Sequence, residues 1–427
     1  VTGITGHRNI GEAHRKVKEV VLKRLLVLCL VLAIGLSFAA SAKRVAIILD
    51  VGGRGDQSFN DMAFAGAKLA ATEFGWEVVD IASNSPSDYL PNVRNAARDG
   101  SFDLIVATGF LLTDALNEVA PDFPDQPFAI VDVAAGPPPW NTQGPNIMNL
   151  VFNENEQSAL VGALGTFAAA QYGYAKMGSV FGIPGSVLYH FEAGLRYGIK
   201  WANDKWEEVK GTNPGIQLAV TYVNSFDDGD VDLGEIETAA QLAAGAVGVY
   251  NVAGPIGIGD HLAIEDAHTQ AGTASGPPYY FGVDANQDYW TYTLASGMKR
   301  VDVAVYEAIK AVEEGTFFDD VAANAAAGLA GGYVGTLVNG GVALSYAQDL
   351  LDFIDFGVAA GEEIDFYGTV ANWAAERAAL EDWIWDAIAE LEEGIIDGSI
   401  AVITANTDSE MTAIRTSADY GLGDSTP

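Results

Sequence analysis

From Arg44 onward the chain alternates short apolar runs with helical segments, and this alternation limits its possible folds more than any other feature. Four runs, at residues 45–49, 76–81, 102–108 and 128–133, are separated by segments of helical character. Strands spaced by helices spell a parallel sheet with right-handed crossovers. A second set repeats the pattern, with runs at 177–181, 218–224, 247–252 and 279–283 and helices expected over 187–206, 233–244 and 260–270. At 427 residues the chain exceeds the roughly 250–300 at which a single core stops growing. The expected fold class is therefore α/β, with two doubly wound parallel-sheet lobes joined by a hinge. Residues 43–153 with about 285–320 are expected to form the first lobe, and 154–284 with about 321–427 the second.

What precedes Arg44 fixes the compartment. Lys23 and Arg24 are followed by an apolar stretch from Leu25 to Leu36 and then by Ala40-Ser41-Ala42. A positive region, a short apolar core and a small-x-small cleavage site make an export signal. The stretch is shorter than the ~20 residues a membrane span needs, so residues 1–42 read as a leader and signal peptide. Cys29 is preceded by Leu28 where a lipid-attachment signal calls for a small residue, so an unlipidated product is expected.

Cleavage after Ala42 removes six basic and two acidic side chains, leaving 16 basic, 55 acidic and a formal charge of −39. That charge excludes nucleic acid and anionic lipid as partners. It fits either a high-salt habitat or a merely soluble acidic surface. With its single cysteine lost, the exported chain has no disulfide framework.

The first apolar run breaks into Asp50-Val51-Gly52-Gly53-Arg54-Gly55-Asp56-Gln57-Ser58-Phe59-Asn60-Asp61 and then into an Ala-rich helix. Gly75 can end that helix, and Ser58 or Asp56 can cap its start. Open α/β sheets bind ligands at the carboxyl ends of their strands, which places Asp50, Phe59 and Asn60 near a small-molecule site. The wording of this loop resembles the basic membrane protein family of substrate-binding proteins, whose members include purine nucleoside receptors of ATP-binding-cassette importers. The resemblance continues through Glu156, Ser158, Leu160 and Gly162, Tyr222-Val223-Asn224-Ser225-Phe226-Asp227-Asp228, Phe281-Gly282-Val283-Asp284, residues 297–306, and residues 394–400. Similar segments thus run from residue 44 to about 403, and their order carries the specificity. The loop Ala134-Ala135-Gly136-Pro137-Pro138-Pro139-Trp140 has no counterpart in it.

The resemblance implies a type I periplasmic-binding-protein fold that takes up a nucleoside by hinge closure and hands it to a membrane permease. It implies that Phe59 and Phe226 hold the base, that Asp50, Asp132, Asp284 and Lys299 contact polar groups of base or sugar, and that Asn60 contacts the ligand or orders the loop. Gly254, in an Ala-Gly-Pro loop, is placed beside the ribose, where a missing side chain lets backbone approach closely. The residues themselves permit this chemistry. Aromatic rings from opposite lobes can sandwich a flat base, and a stacked base gains ~1–3 kcal/mol per contact. An ionised aspartate accepts paired hydrogen bonds from vicinal hydroxyls, and Lys299 balances charge that would otherwise be costly to bury.

Alternatives in other classes remain. A sugar-binding protein would use one aromatic and the same carboxylates, and a sensor ectodomain would share the whole layout. A nucleoside hydrolase would need an Asp-x-Asp-x-x-x-Asp-Asp motif, of which Asp50 and Asp56 supply only two carboxylates at other spacings. Neither nucleotide-binding glycine motif occurs in the loop. His261, Glu265 and His268 share a helical face that could hold zinc, although surface helices present such sets by chance. No cofactor, metal or catalytic residue is assigned, and the protein is expected to be a monomer. Residues 373–385 read as one acidic amphipathic helix packed on a lobe.

Overall fold

The computed structural model describes residues 42–360 and 363–422. The export-signal reading of residues 1–41 lies outside the described residues.

The chain enters β1 (Arg44–Ile48), passes the glycine loop into α1 (Phe59–Phe74), and continues through β2 (Glu77–Ile81), α2 (Tyr89–Asp99), β3 (Leu104–Ala107), α3 (Thr113–Val119), β4 (Phe128–Val131) and β5 (Ile147–Phe152). It then crosses to a second lobe through α4 (Glu154–Tyr172). There it forms β6 (Lys176–Phe181), α5 (Ser186–Lys210), β7 (Gln217–Tyr222), α6 (Val231–Ala243), β8 (Ala246–Val252), α7 (Gly257–Ala271), β9 (Tyr279–Asp284) and β10 (Thr293–Lys299). The chain returns to the first lobe for α8 (Val301–Glu314), α9 (Phe317–Ala327) and β11 (Tyr333–Gly335), and crosses again to β12 (Val342–Leu344). Helices α10 (Ala347–Ala360), α11 (Phe366–Ala378), α12 (Asp382–Ile396) and α13 (Asp408–Arg415) complete it.

The two six-stranded sheets have matching orders, β11-β5-β4-β3-β1-β2 and β12-β10-β9-β8-β6-β7. All pairings are parallel except that of β12, which runs antiparallel to β10. Parallel strands covered on both faces must be apolar throughout, and β1, β3, β4, β8 and β9 are indeed almost wholly buried. The linking helix α4 is rich in Ala, Gly and Leu and is buried on nearly every face from Gln157 to Ala169, as a helix apolar all round should be. Its contact with α5 is backbone-close: a Cβ on Gly198 would stand 2.0 Å from Ala159 O, and one on Gly194 2.1 Å from Asn155 O.

Two expectations need correction. The return to the first lobe falls between Lys299 and Val301, not after Asp284, because β10 pairs with β9 and so belongs to the second sheet. The first lobe's late segment therefore reaches β11 through α9, beyond residue 320. The run at 373–385 is not one helix either. It divides between α11 and α12, where Leu380 turns into the core and Trp385 Nε1 donates to Arg377 O at 3.0 Å. That bond joins the one Leu380 N donates to the same carbonyl at 3.3 Å, at the end of α11 where the regular helical partners run out.

Candidate functional site

The carboxyl ends of both sheets face a single cleft. All eight residues singled out in the sequence, Asp50, Phe59, Asn60, Asp132, Phe226, Gly254, Asp284 and Lys299, line it, together with Gly109, Phe110, Leu188, Phe191, Val252 and Pro255. About 520 Å³ of space lies between its walls, mouth included. The matching strand orders explain the convergence. β4 and β9 occupy the same place in their sheets, so Asp132 and Asp284 leave equivalent strand ends from opposite sides. Both adopt left-handed backbone, at φ 64° and 62°. Such a conformation is uncommon for a side chain other than glycine and collects at functional sites.

Lys299 sits between these two aspartates. Its Nζ donates to Asp132 Oδ2 at 2.7 Å and lies 3.6 Å from Asp284 Oδ1. The ammonium also lies 4.7, 5.6 and 5.4 Å from the ring centres of Phe59, Phe152 and Phe191. Burial disfavours its charge, but Asp132, Asp284 and Glu154 outweigh that and hold its pKa above the ordinary lysine value. Burial pushes the Asp132 carboxyl up to about 7 against the pull of Lys299, and raises that of Asp284. Asp284 Oδ2 accepts from Ser58 Oγ at 3.3 Å. Asp132 Oδ1 and Asp284 Oδ1 are buried with no hydrogen-bond partner among the described residues. An unpaired buried acceptor is costly, so these two oxygens are where a ligand's donors gain most.

Asp50 forms a separate polar point. Its Oδ1 accepts from Asn60 Nδ2 at 2.7 Å and Gly52 N at 3.0 Å. Burial raises its carboxyl to about 6 in spite of those bonds. Asn60 is spent on the loop: its amide also donates to Asp56 Oδ2 at 3.2 Å, and its Oδ1 takes the Asp50 N–H at 3.3 Å. Of its two expected roles the geometry shows the ordering one. Asp56 is the cap of α1, accepting from the backbone N–H of Ser58, Asn60 and Asp61 at 3.0, 2.8 and 3.1 Å. Gln287 and Tyr289 tie the loop to the second lobe through Gln57 O (3.1 Å) and Gln57 Oε1 (2.8 Å).

The aromatic lining is richer than the sequence suggested. Phe226 packs edge-on to Phe110 at 6.0 Å and lies against Gly182, where a Cβ would fall 2.1 Å from Phe226 Cε1. Phe110 and Phe191 went unread because each lies in a run whose facing cannot be told from spacing alone. Glu154, which is buried and bears on Asp132, Asp284 and Lys299, was likewise missed.

The helical histidines have structural partners. His268 is buried, with Nδ1 2.7 Å from Thr273 Oγ1 and Nε2 2.9 Å from Pro278 O, while His261 Nε2 faces Thr291 O at 2.9 Å. Among the described residues no three or more His, Cys, Asp or Glu side chains gather where they could hold a metal ion.

Two parallel-sheet α/β lobes around a cleft lined by strand ends define a type I periplasmic solute-binding protein. The chain belongs to the family described as ABC transporter substrate-binding protein PnrA-like, whose model matches residues 43–353. Relatives extend over most of it. An uncharacterized lipoprotein of Pyrococcus abyssi is 33% identical over 388 residues, covering 90% of this chain and 89% of its own. The ABC transporter nucleoside-binding protein BmpA of Lactococcus lactis subsp. cremoris is 28% identical over 369 residues, covering 84% and 88%. A crystal structure of an ABC transporter solute-binding protein from Aeropyrum pernix aligns with a TM-score of 0.76 at 31% identity, over 87% of this chain and 96% of that one. The protein is thus an extracytoplasmic solute-binding component of an ABC transporter, a role that implies a small-molecule ligand and a membrane permease. No described helix is long and apolar enough to cross a membrane.

Proposed function

We propose that the cleft binds a nucleoside, with a purine as its base, and that the protein delivers it as a monomer to the permease of an importer. The observation that carries this reading is the pair of buried carboxylate oxygens that accept no hydrogen bond, Asp132 Oδ1 and Asp284 Oδ1, flanking Lys299. Vicinal ribose hydroxyls are donors suited to such acceptors. Phe59 and Phe226 reach the same cleft from opposite lobes and offer faces for a base. Lys299 is already engaged by carboxylates, so a phosphate would find acidic groups in place of a free cation. The Lactococcus relative, a nucleoside-binding protein by name, supports this reading.

The test is thermal denaturation with a ligand panel. A ligand that binds only the native state adds RT ln(1 + [L]/Kd) to stability. Inosine, guanosine or adenosine should raise the melting temperature with the logarithm of concentration, and free ribose should do far less. A shift with a hexose and none with any nucleoside at millimolar concentration would reject the reading in favour of a sugar-binding protein.

A further inference from the structure

Glu154 opens α4 at the first crossing between lobes and is buried, yet it does not line the cleft. His190, on the face of α5 next to the cleft residues Val187, Leu188 and Phe191, places Nδ1 2.9 Å from Glu154 Oε2. Its other nitrogen, Nε2, lies 3.0 Å from Asn406 Oδ1. Both neighbouring atoms are acceptors, so an imidazole carrying two protons donates to each of them. The remaining groups that bear on this ring are Ser186 Oγ at 3.5 Å and the carboxylates of Asp132 and Glu410. Glu154 in turn bears on Asp132, Asp284 and Lys299. A chain of polar and charged groups therefore runs from Asn406, through His190 and Glu154, to the two cleft aspartates.

We infer that His190 and Glu154 are positioning residues for the cleft: the imidazolium neutralises Glu154, and so keeps Asp132 and Asp284 ionised as acceptors for the ligand. The inference deepens the proposal above and rests on the cleft being the ligand site. Its logic is that of interacting carboxylates, since a like charge nearby favours the protonated form. With His190 charged, Glu154 adds little repulsion. With His190 uncharged, the Glu154 carboxylate stands uncompensated beside two others that share one lysine. Burial works against the imidazolium, but the hydrogen bond and charge of Glu154 prevail and hold the ring's pKa above the ordinary histidine value, so the neutralised arrangement is the resting one.

Two isosteric variants push the cleft in opposite directions. His190→Gln keeps a donor for Glu154 but removes the positive charge, whereas Glu154→Gln removes the negative one. Aspartate labelled with ¹³C at the carboxyl, followed by NMR through a pH titration of the ligand-free protein, reads Asp132 and Asp284 directly. Asp132→Asn and Asp284→Asn samples assign the signals. The midpoint of these two carboxyls should rise by about one pH unit in His190→Gln and fall by a similar amount in Glu154→Gln. The double variant should return towards the wild-type midpoints, since it removes both charges of the pair together. Loss of packing alone would not give opposite signs. Midpoints that stay put, or move the same way in both single variants, would overturn the inference. Calorimetry with inosine reads the consequence: the acid limit of binding should move with the carboxyl midpoints, and a limit that ignores them would also overturn it. Inosine failing to bind at any pH would reject the nucleoside reading instead, leaving the NMR result to decide the pair's role.

Discussion

Lys299 Nζ and Asp132 Oδ2, 2.7 Å apart, join a strand of the second sheet to a strand end of the first, with both side chains almost fully withdrawn from solvent. A pair so placed binds the lobes together at the polar end of the cleft. Its net contribution to stability is small, because desolvating two charges offsets their attraction, but removing one partner leaves the other exposed to the full cost of burial.

Lys299→Met should therefore destabilise the protein by about 3–5 kcal/mol at pH 8, where Asp132 and Asp284 are left charged without a cation. At pH 5 the loss should shrink, since the Asp132 carboxyl already titrates at about 7 and would be neutral. Urea denaturation at the two pH values checks this, and an equal loss at both would show that the lysine acts through packing.

The buried acids also fix the sign of the pH dependence. Burial above all raises the carboxyl of Asp50 to about 6, and those of Asp132 and Asp260 to about 7, from an ordinary aspartate value of 3.8. A raised carboxyl binds more protons folded than unfolded, so its contribution is complete below the unfolded value and is lost as pH rises through the folded one. The melting temperature of the ligand-free protein should fall between about pH 4 and pH 7. Asp260, whose Oδ1 accepts from Thr238 at 2.7 Å, lines no part of the cleft. Asp260→Asn should flatten the slope and leave ligand affinity unchanged; scanning calorimetry at fixed ionic strength reads the slope, and isothermal calorimetry the affinity.

Salt should act in the stabilising direction. The chain carries a formal −35, and screening shortens the reach of self-repulsion from ~10 Å at 0.1 M to ~3 Å at 1 M. A melting temperature that stayed flat or fell over that range would show that the acidic surface is no adaptation to salt.

The aromatic wall offers a more local test. Gly182 closely follows β6, and a methyl group there would stand 2.1 Å from Phe226 Cε1. Gly182→Ala should push the Phe226 ring out of its place and weaken nucleoside binding by about 1–3 kcal/mol, the worth of one stacking contact. Fluorescence or calorimetric titration measures this. Unchanged affinity with unchanged fold would take Phe226 out of the base site.

Much of this arrangement was legible because period and order are written in the chain. Apolar runs of five to seven residues gave eight of the eleven parallel strands, missing β5, β10 and β11, and strand ends gave Asp50, Asp132 and Asp284 together with the loop aromatics. Short strands were not legible: β11 and β12, at three residues each, carry no periodic signal. β10 escaped because Ala-Ser-Gly lies at its centre, a composition with no strand preference. The site lost detail for a related reason. Helical spacing places Phe191 and His190 side by side on α5, but it does not tell which one meets the cleft and which one meets Glu154. Asn60 was read from its loop position, yet its role depends on where Asp50 and Asp56 turn their oxygens, and that is decided by three-dimensional closure of the loop.

The sharpest test within the site contrasts two kinds of contact. Phe59→Ala should remove a stacking face and weaken ribonucleoside and dideoxynucleoside alike by about 1–3 kcal/mol, since stacking ignores the sugar. Asp284→Asn keeps the shape of the side chain but replaces a charged acceptor, and hydrogen bonds to charged groups contribute about 1.5–3 kcal/mol. With Asp284 Oδ1 buried and accepting no hydrogen bond in the free protein, that loss should appear with a ribonucleoside. It should largely vanish with the 2′,3′-dideoxy analogue, which has no vicinal hydroxyls to donate. The difference between the two ligands is the quantity to measure, because any general damage to the fold weakens both equally and cancels. Isothermal calorimetry on wild type, Phe59→Ala and Asp284→Asn with matched ribo and dideoxy ligands provides it. An Asp284→Asn penalty undiminished for the dideoxy ligand would place Asp284 away from the sugar and leave Asp132 to hold the hydroxyls alone.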